Sequence, residues 1–308
     1  VYTLFTLVAI GLAANVLHVA WVGVRRALWE RHHTRGTDGL LPHASAFSLG
    51  SGPVALLMVH GFADTPHLWT RIAERLAGTG AFTCRAMRLP GSGEPLAQAK
   101  RQSLALWRQA VDGELDALRA SHRSVWIVGH SLGGALALDA ALRNPDTVAG
   151  VAAFAPMIEI SRRRSPLLPP AVWFRFASVL LALSPVFESC FSSENQAADD
   201  PAFTYTKDRF VPFCVYRSLF QLIRDNRSRA GRLACPLFGV TADLDSVVDS
   251  SAALRWFGQC AGPKRVRALP DIRHVIPLEN GWQELTDDLA EFIRSHPNSK
   301  TVPDGHPR

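Results

Sequence analysis

Residue Ser131 lies in the run Gly129-His130-Ser131-Leu132-Gly133, a G-x-S-x-G between an apolar stretch, Ser124 to Val128, and an alanine-rich one, Ala135 to Leu142. A strand before and a helix after make this spacing a nucleophile elbow, a sharp turn that lifts the serine hydroxyl clear of the backbone. Glycines at 129 and 133 let backbone pass close to backbone. The helix that follows aims its first N–H groups at the space above the serine, where an oxyanion would develop. A hydroxyl is a poor nucleophile at neutral pH, so this chemistry needs a base within hydrogen-bond reach and an acid that orients the base. His274 and Asp245 suit those places. Each follows a stretch that reads as a strand, and residues just past the C-terminal ends of parallel strands share one edge of the sheet. Asp243 and Asp249 compete with Asp245, which best fits the strand-end turn ahead of a helix start expected at Val247-Val248. His130 is next to the nucleophile and should turn its side chain the other way. Upstream, His60-Gly61-Phe62 ends a further apolar run, so the amides of Phe62 and Leu132 are expected to be the two oxyanion donors.

The elements that must position these groups alternate along the chain. Val54 to Val59 is continuously apolar, as a strand buried on both faces of a parallel sheet would be. Thr65-Pro66 opens a helix carrying Leu68, Trp69, Ile72 and Leu76, and Phe82 to Met87 is the next strand. From Ser103 a helix places Leu104, Trp107, Ala110, Val111, Leu115 and Leu118 along one side. The elbow strand and helix follow, then a strand over Val148 to Ala155. Phe47 to Leu49 reads as a short extra strand. This alternation predicts an α/β fold with a mostly parallel, doubly wound sheet. It lapses between about 157 and 233, a stretch holding Arg162-Arg163-Arg164, several prolines and the 13-residue apolar run Ala171 to Leu183, too short to span a bilayer. An insertion placed there is expected to be a helical cap over the site. Its apolar run reads either as a lid facing an acyl chain or lipid interface, or as a helix packed onto the core. The sheet resumes at Pro236 to Thr241 and Arg265 to Leu269, and Glu279 to Arg294 closes the domain as a helix.

Ahead of the domain, Thr3 to Val24 carries no charged residue and is long enough to cross a membrane. The chain therefore divides into a transmembrane helix or anchor (1–24), a basic juxtamembrane linker (25–45), the α/β domain (46–295) and a flexible tail (296–308). Arginines just after the apolar segment favour a cytoplasmic main domain. A cleaved signal peptide and a buried core helix are the competing readings of residues 3–24.

With 308 residues, 47% of them hydrophobic, the chain buries a sizeable core. A net charge of +6 is spread over scattered arginines, without the basic face that nucleic acid requires. Attraction to anionic lipid is its expected meaning. The five cysteines, Cys84, Cys190, Cys214, Cys235 and Cys260, are widely spaced and read as small core residues.

Leu57-Met58-Val59-His60-Gly61-Phe62, Gly129 to Gly134, Asp245-Ser246-Val247-Val248 and Arg273-His274-Val275-Ile276-Pro277-Leu278 together resemble the bacterial carboxylesterase and monoacylglycerol lipase branch of the α/β-hydrolase fold. The order Ser131, Asp245, His274 is that of the fold. The resemblance spans about Phe47 to Ser295. It implies hydrolysis of small-molecule or lipid carboxylic esters, with Ser131 as nucleophile, His274 as base and then acid, Asp245 as orienting acid, and Phe62 and Leu132 amides at the oxyanion. It implies no metal or organic cofactor. Acyl transfer, thioester hydrolysis and amide hydrolysis use the same three groups, and a non-catalytic binding protein of this fold is the reading from outside enzymology.

Overall fold

A computed structural model describes residues 2–164, 167–181, 183–184, 186–189 and 206–297. The apolar runs of the sequence become strands because their alternate faces are both covered. β2 (Val54–Val59), β4 (Ser124–His130) and β5 (Gly150–Phe154) form the middle of the sheet and are buried almost throughout. With β1 (Phe47–Leu49), β3 (Phe82–Met87), β8 (Leu237–Ala242) and β9 (Lys264–Leu269) they make a seven-stranded sheet in the order β1-β3-β2-β4-β5-β8-β9. Only β1 runs antiparallel to its neighbour. In register, Val59 lies beside Gly129, so the His60-Gly61-Phe62 exit and the elbow leave the sheet side by side.

The linking helices are α2 (Thr70–Ala77), α3 (Leu96–Ala99), α4 (Leu104–Arg119), α5 (Leu132–Arg143), α7 (Phe213–Asn226), α8 (Ser250–Gly258) and α9 (Trp282–Arg294). Ser103 caps α4 by accepting a hydrogen bond from the Leu106 amide, as its position in the sequence predicts. α4, α5 and α7 pack on one another, and α2 packs on α9. Where the helical layer needs a charge, it surrounds one. Asp139 of α5 is fully buried and accepts hydrogen bonds from Arg108, Arg143 and Arg229. Burial raises its pKa, but hydrogen bonds and charge from Arg108 and Arg143 outweigh that and hold it below the usual carboxylate range.

Several boundaries differ from those expected. The N-terminal helix α1 (Tyr2–His32) does not stop at Val24, so residues 25–32 of the expected linker are helical. No glycine or proline interrupts them, and their long side chains favour the helix. Within the expected insertion, α6 (Pro170–Leu180) and the hairpin of β6 (Val186–Glu188) and β7 (Phe210–Pro212) stand apart from the main sheet. α7 does not: Leu219 and Leu222 are fully buried, and Asn226 donates to the Ala135 carbonyl at 2.8 Å. Val247 lies in a bend and Val248 pairs with Ile160 in an isolated bridge, and the helix expected there starts at Ser250, with Asp249 as its cap. From residue 298 the tail lies outside the described residues, as does Cys190. Cys84 and Cys260 are buried, and burial pushes both thiols up to about 12.

Candidate active site

The elbow is strained in the way its sequence requires. Ser131 has φ 54° and ψ −114°, a conformation that costs energy in a residue with a side chain. The turn closes only because its neighbours lack side chains: a Cβ on Gly129 would lie 2.2 Å from the Gly133 carbonyl oxygen, and one on Gly133 would lie 2.1 Å from that of Val59. The Ser131 hydroxyl emerges at the C-terminal edge of β4.

His274 reaches it from the loop after β9, with Nε2 2.9 Å from Ser131 Oγ. On its other side, His274 Nδ1 lies 2.7 Å from Asp245 Oδ2. The second carboxylate oxygen of Asp245 is held by the amides of Val247 (2.7 Å) and Val248 (2.9 Å), so the strand-end turn fixes the acid before it meets the histidine. All three side chains are buried. This arrangement selects one tautomer: Nδ1–H donates to Asp245, leaving Nε2 to accept from the serine. The rival carboxylates are elsewhere. Asp249 Oδ1 accepts from the Ala252 amide at the start of α8, and Asp243 is exposed.

Leu132 is the first residue of α5, where an amide has no intrahelical acceptor. Phe62 lines the serine's cavity, and a Cβ on Gly61 would stand 3.4 Å from that of Ser131. The geometry therefore brings together all five residues singled out in the sequence.

Other residues of the site were given no role by the sequence. His130 is buried behind the serine, and its Nε2 donates to the backbone carbonyl of His274 at 2.9 Å. Burial, with the nearby His274 ring, keeps it neutral by lowering its pKa well below the ordinary value. Asp64 and Lys207 face each other 4.0 Å apart in the cavity wall. Burial raises the first pKa and lowers the second. Asp208 accepts from the Gly93 amide, and burial pushes its pKa up to about 7. The cavity over Ser131 shares Ala63 and Asp208 with a neighbouring one that is lined by Leu132, Trp107 and, from α1, Arg26, Trp29 and Glu30. Among the described residues no cluster of His, Cys, Asp and Glu is arranged to hold a metal ion.

His60 ties the oxyanion-side loop to the rest. Its Nδ1–H donates to the Gly61 carbonyl at 3.0 Å, and its Nε2 accepts from the Leu89 amide at 3.0 Å, a pairing open only to the neutral ring. Burial, and then the charge of Arg88, lowers its pKa to about 4. As pH falls through 6.5 the unfolded chain takes up this proton first, so the stabilisation is complete above 6.5 and is lost towards pH 4. The stability advantage of the unmodified protein over His60→Gln is expected to shrink by about 3 kcal/mol between pH 7 and pH 4, as read by urea unfolding across that range. An advantage independent of pH would mean that the folded ring takes up its proton as readily as the unfolded chain does.

The chain matches known proteins over most of its length. A family model described as serine aminopeptidase, S33, matches residues 53–281. The thermostable monoacylglycerol lipase of Bacillus sp. (strain H-257) is 25% identical over 258 residues, covering 83% of this chain and 97% of the lipase. Among solved structures, one from the metagenome-derived lipolytic enzymes LipS and LipT superposes with TM-score 0.72 at 20% identity, covering 83% of this chain and 100% of that one. The monoacylglycerol lipase of Paleococcus ferrophilus gives TM-score 0.67 at 21% identity, covering 82% and 98%. These structural likenesses share the fold. The three relatives leave about a sixth of the present chain unmatched.

Proposed function

The chain belongs to the serine aminopeptidase S33 family of α/β-hydrolases and is a carboxylic ester hydrolase; we propose that it works through Ser131, His274 and Asp245 by way of an acyl-enzyme. The observation that carries this reading is the unbroken hydrogen-bonded chain from Asp245 Oδ2 through both nitrogens of His274 to Ser131 Oγ. Ser131 Oγ attacks the ester carbonyl while His274 Nε2 takes its proton, and Asp245 stabilises the imidazolium that forms. The carbonyl oxygen, now an oxyanion, is received by the amides of Phe62 and Leu132. His274 then gives its proton to the departing alcohol, leaving Ser131 acylated. A water, deprotonated by the same nitrogen, attacks the acyl carbonyl and releases the acid and the free serine.

The substrates proposed are acyl esters of the monoacylglycerol type, met at a membrane. Supporting this are the lipase among the relatives and α1, whose segment Val8–His32 is long and apolar enough to cross a bilayer and is little buried in the protein. In this reading α1 is an anchor, and Arg25, Arg26 and Arg31 after its apolar part set the hydrolase domain on the cytoplasmic side.

The test is to incubate the full chain in detergent with a fluorophosphonate probe and, separately, with glyceryl monoesters of rising acyl length, thioesters, and aminoacyl amides. Labelling at Ser131 and turnover fastest on the glyceryl esters are expected. Fastest turnover of the amides or thioesters would replace the ester reading, and an unlabelled serine would end the proposal.

A further inference from the structure

α1 is apolar nearly all the way round, with Phe5, Ile10, Leu12, Val16, Leu17 and Val24 exposed, and this is how a helix surrounded by lipid looks. Within its apolar part Asn15 is buried, and both ends of its amide are hydrogen-bonded. Asn15 Nδ2 donates to the Leu180 carbonyl at 2.6 Å, and Oδ1 accepts from the Leu183 amide at 3.0 Å. Those are the open backbone groups at the C-terminal end of cap helix α6. One turn on, His18 Nδ1 is 2.8 Å from Ser184 Oγ, and Arg25 makes two hydrogen bonds to Glu188 of β6.

The depth of this joint can be read from the helix. Arg25, packed over the Trp21 ring at 5.4 Å, belongs at the headgroup level. Asn15 lies ten residues away, about 15 Å along the axis, which is about half the thickness of a bilayer's hydrocarbon core. At that depth an irregular chain end persists only if its N–H and C=O groups are bonded within protein, which is what Asn15 does for Leu180 and Leu183. α6 is two-faced in the same sense. Phe174 packs against Phe213, Phe220 and Tyr216 of α7, whereas Trp173, Phe176, Val179, Leu180 and, just beyond, Leu183 are exposed. Arg175, midway along α6, is long enough to carry its charge towards the headgroups.

We propose that the C-terminal half of α6 and the turn at Leu183 are embedded in the acyl layer beside α1, with Asn15 as the joint and lipid acyl chains covering the exposed apolar face. The proposal rests on α1 being the membrane anchor. It sets a series of adjoining pockets between the acyl layer and the active site. A recess lined by Val19, Val22, Gly23 and Val186 shares Arg26 and Leu96 with the cavity that reaches Leu132, which in turn shares Ala63 and Asp208 with the cavity over Ser131.

The experiment places an NBD fluorophore on one introduced cysteine at a time, Val16→Cys, Val179→Cys or Leu183→Cys, in the full chain with its native cysteines changed to alanine. The protein is reconstituted in phosphatidylcholine vesicles containing lipids brominated near mid-chain. Quenching at 179 and 183 within about twofold of that at 16, with little effect of aqueous iodide, is expected. Bromine quenching at 16 with iodide quenching at 179 and 183 would leave α1 inserted and overturn the embedded cap. Absence of bromine quenching at all three would remove the anchor as well, while ester turnover in detergent would still judge the hydrolase reading by itself. Adding Asn15→Leu should lower bromine quenching at 183 several-fold and spare 16; an unchanged signal at 183 would overturn Asn15 as the joint.

Discussion

Ser131→Ala is expected to lower kcat for a carboxylic ester by about ten-thousand- to a million-fold, with KM changed by less than about threefold. The alanine methyl fits the space left by the hydroxyl, so the elbow, the oxyanion amides and the buried His274–Asp245 pair remain in place. What disappears is the atom that forms the acyl bond in the proposed mechanism, together with the proton that His274 Nε2, 2.9 Å away, is proposed to accept. The residual rate reports the oxyanion amides and substrate binding alone. Steady-state kinetics with active-site titration of the unmodified protein give the comparison. A variant retaining a tenth or more of the activity would show that another hydroxyl carries the acyl group.

Asp245→Asn follows in size, with kcat expected to fall by about a thousand- to ten-thousand-fold. The side chain keeps its shape, and its carbonyl oxygen can still accept from the Val247 and Val248 amides, which hold Oδ1 of the native residue. The amide nitrogen then faces His274 Nδ1 as a donor. The ring answers by placing its proton on Nε2, where it can no longer accept from the serine. Since this is a tautomer effect, the loss should ease as pH rises and base catalysis by hydroxide takes over. Asp243→Asn and Asp249→Asn should each stay within about twofold of the unmodified rate, the latter because asparagine caps a helix nearly as well as aspartate. A large loss at either position, with Asp245→Asn active, would reassign the acid.

The core of this site was legible because it is written locally. The elbow needs glycine at two positions where neighbouring backbone leaves no room for a Cβ, and such a demand shows in the sequence as letters at fixed spacing. Asp245 and His274 were legible because parallel strands gather their C-terminal ends on one edge, so that a strand assignment doubles as a placement. His130 was read only as turned away from the serine, and its bond to the His274 carbonyl joins groups 144 residues apart. Lys207 opposite Asp64, and Asn15 under the end of α6, belong to the same class. Nothing local distinguishes a lysine that will be buried from one that will be solvated. The extent of α1 was missed for another reason: the charges that mark the end of an apolar segment do not end a helix, and arginine and tryptophan continued it to His32.

The hairpin of β6 and β7 gives that longer helix a further meaning. Val22 shares a small core with Val186 and Phe210, Trp29 packs against it, and Glu188 is divided between Arg25 and Arg209. Helix α1 and the hydrolase domain are therefore not separable modules. A shortened chain beginning after residue 35 would lose one side of that small core, leave Glu188 with a single arginine, and open the cavity wall supplied by Arg26, Trp29 and Glu30. Exchanging α1 for an unrelated apolar helix would do the same damage, so under the proposal that α1 is an anchor, the part that fixes where the enzyme sits also completes what the enzyme is.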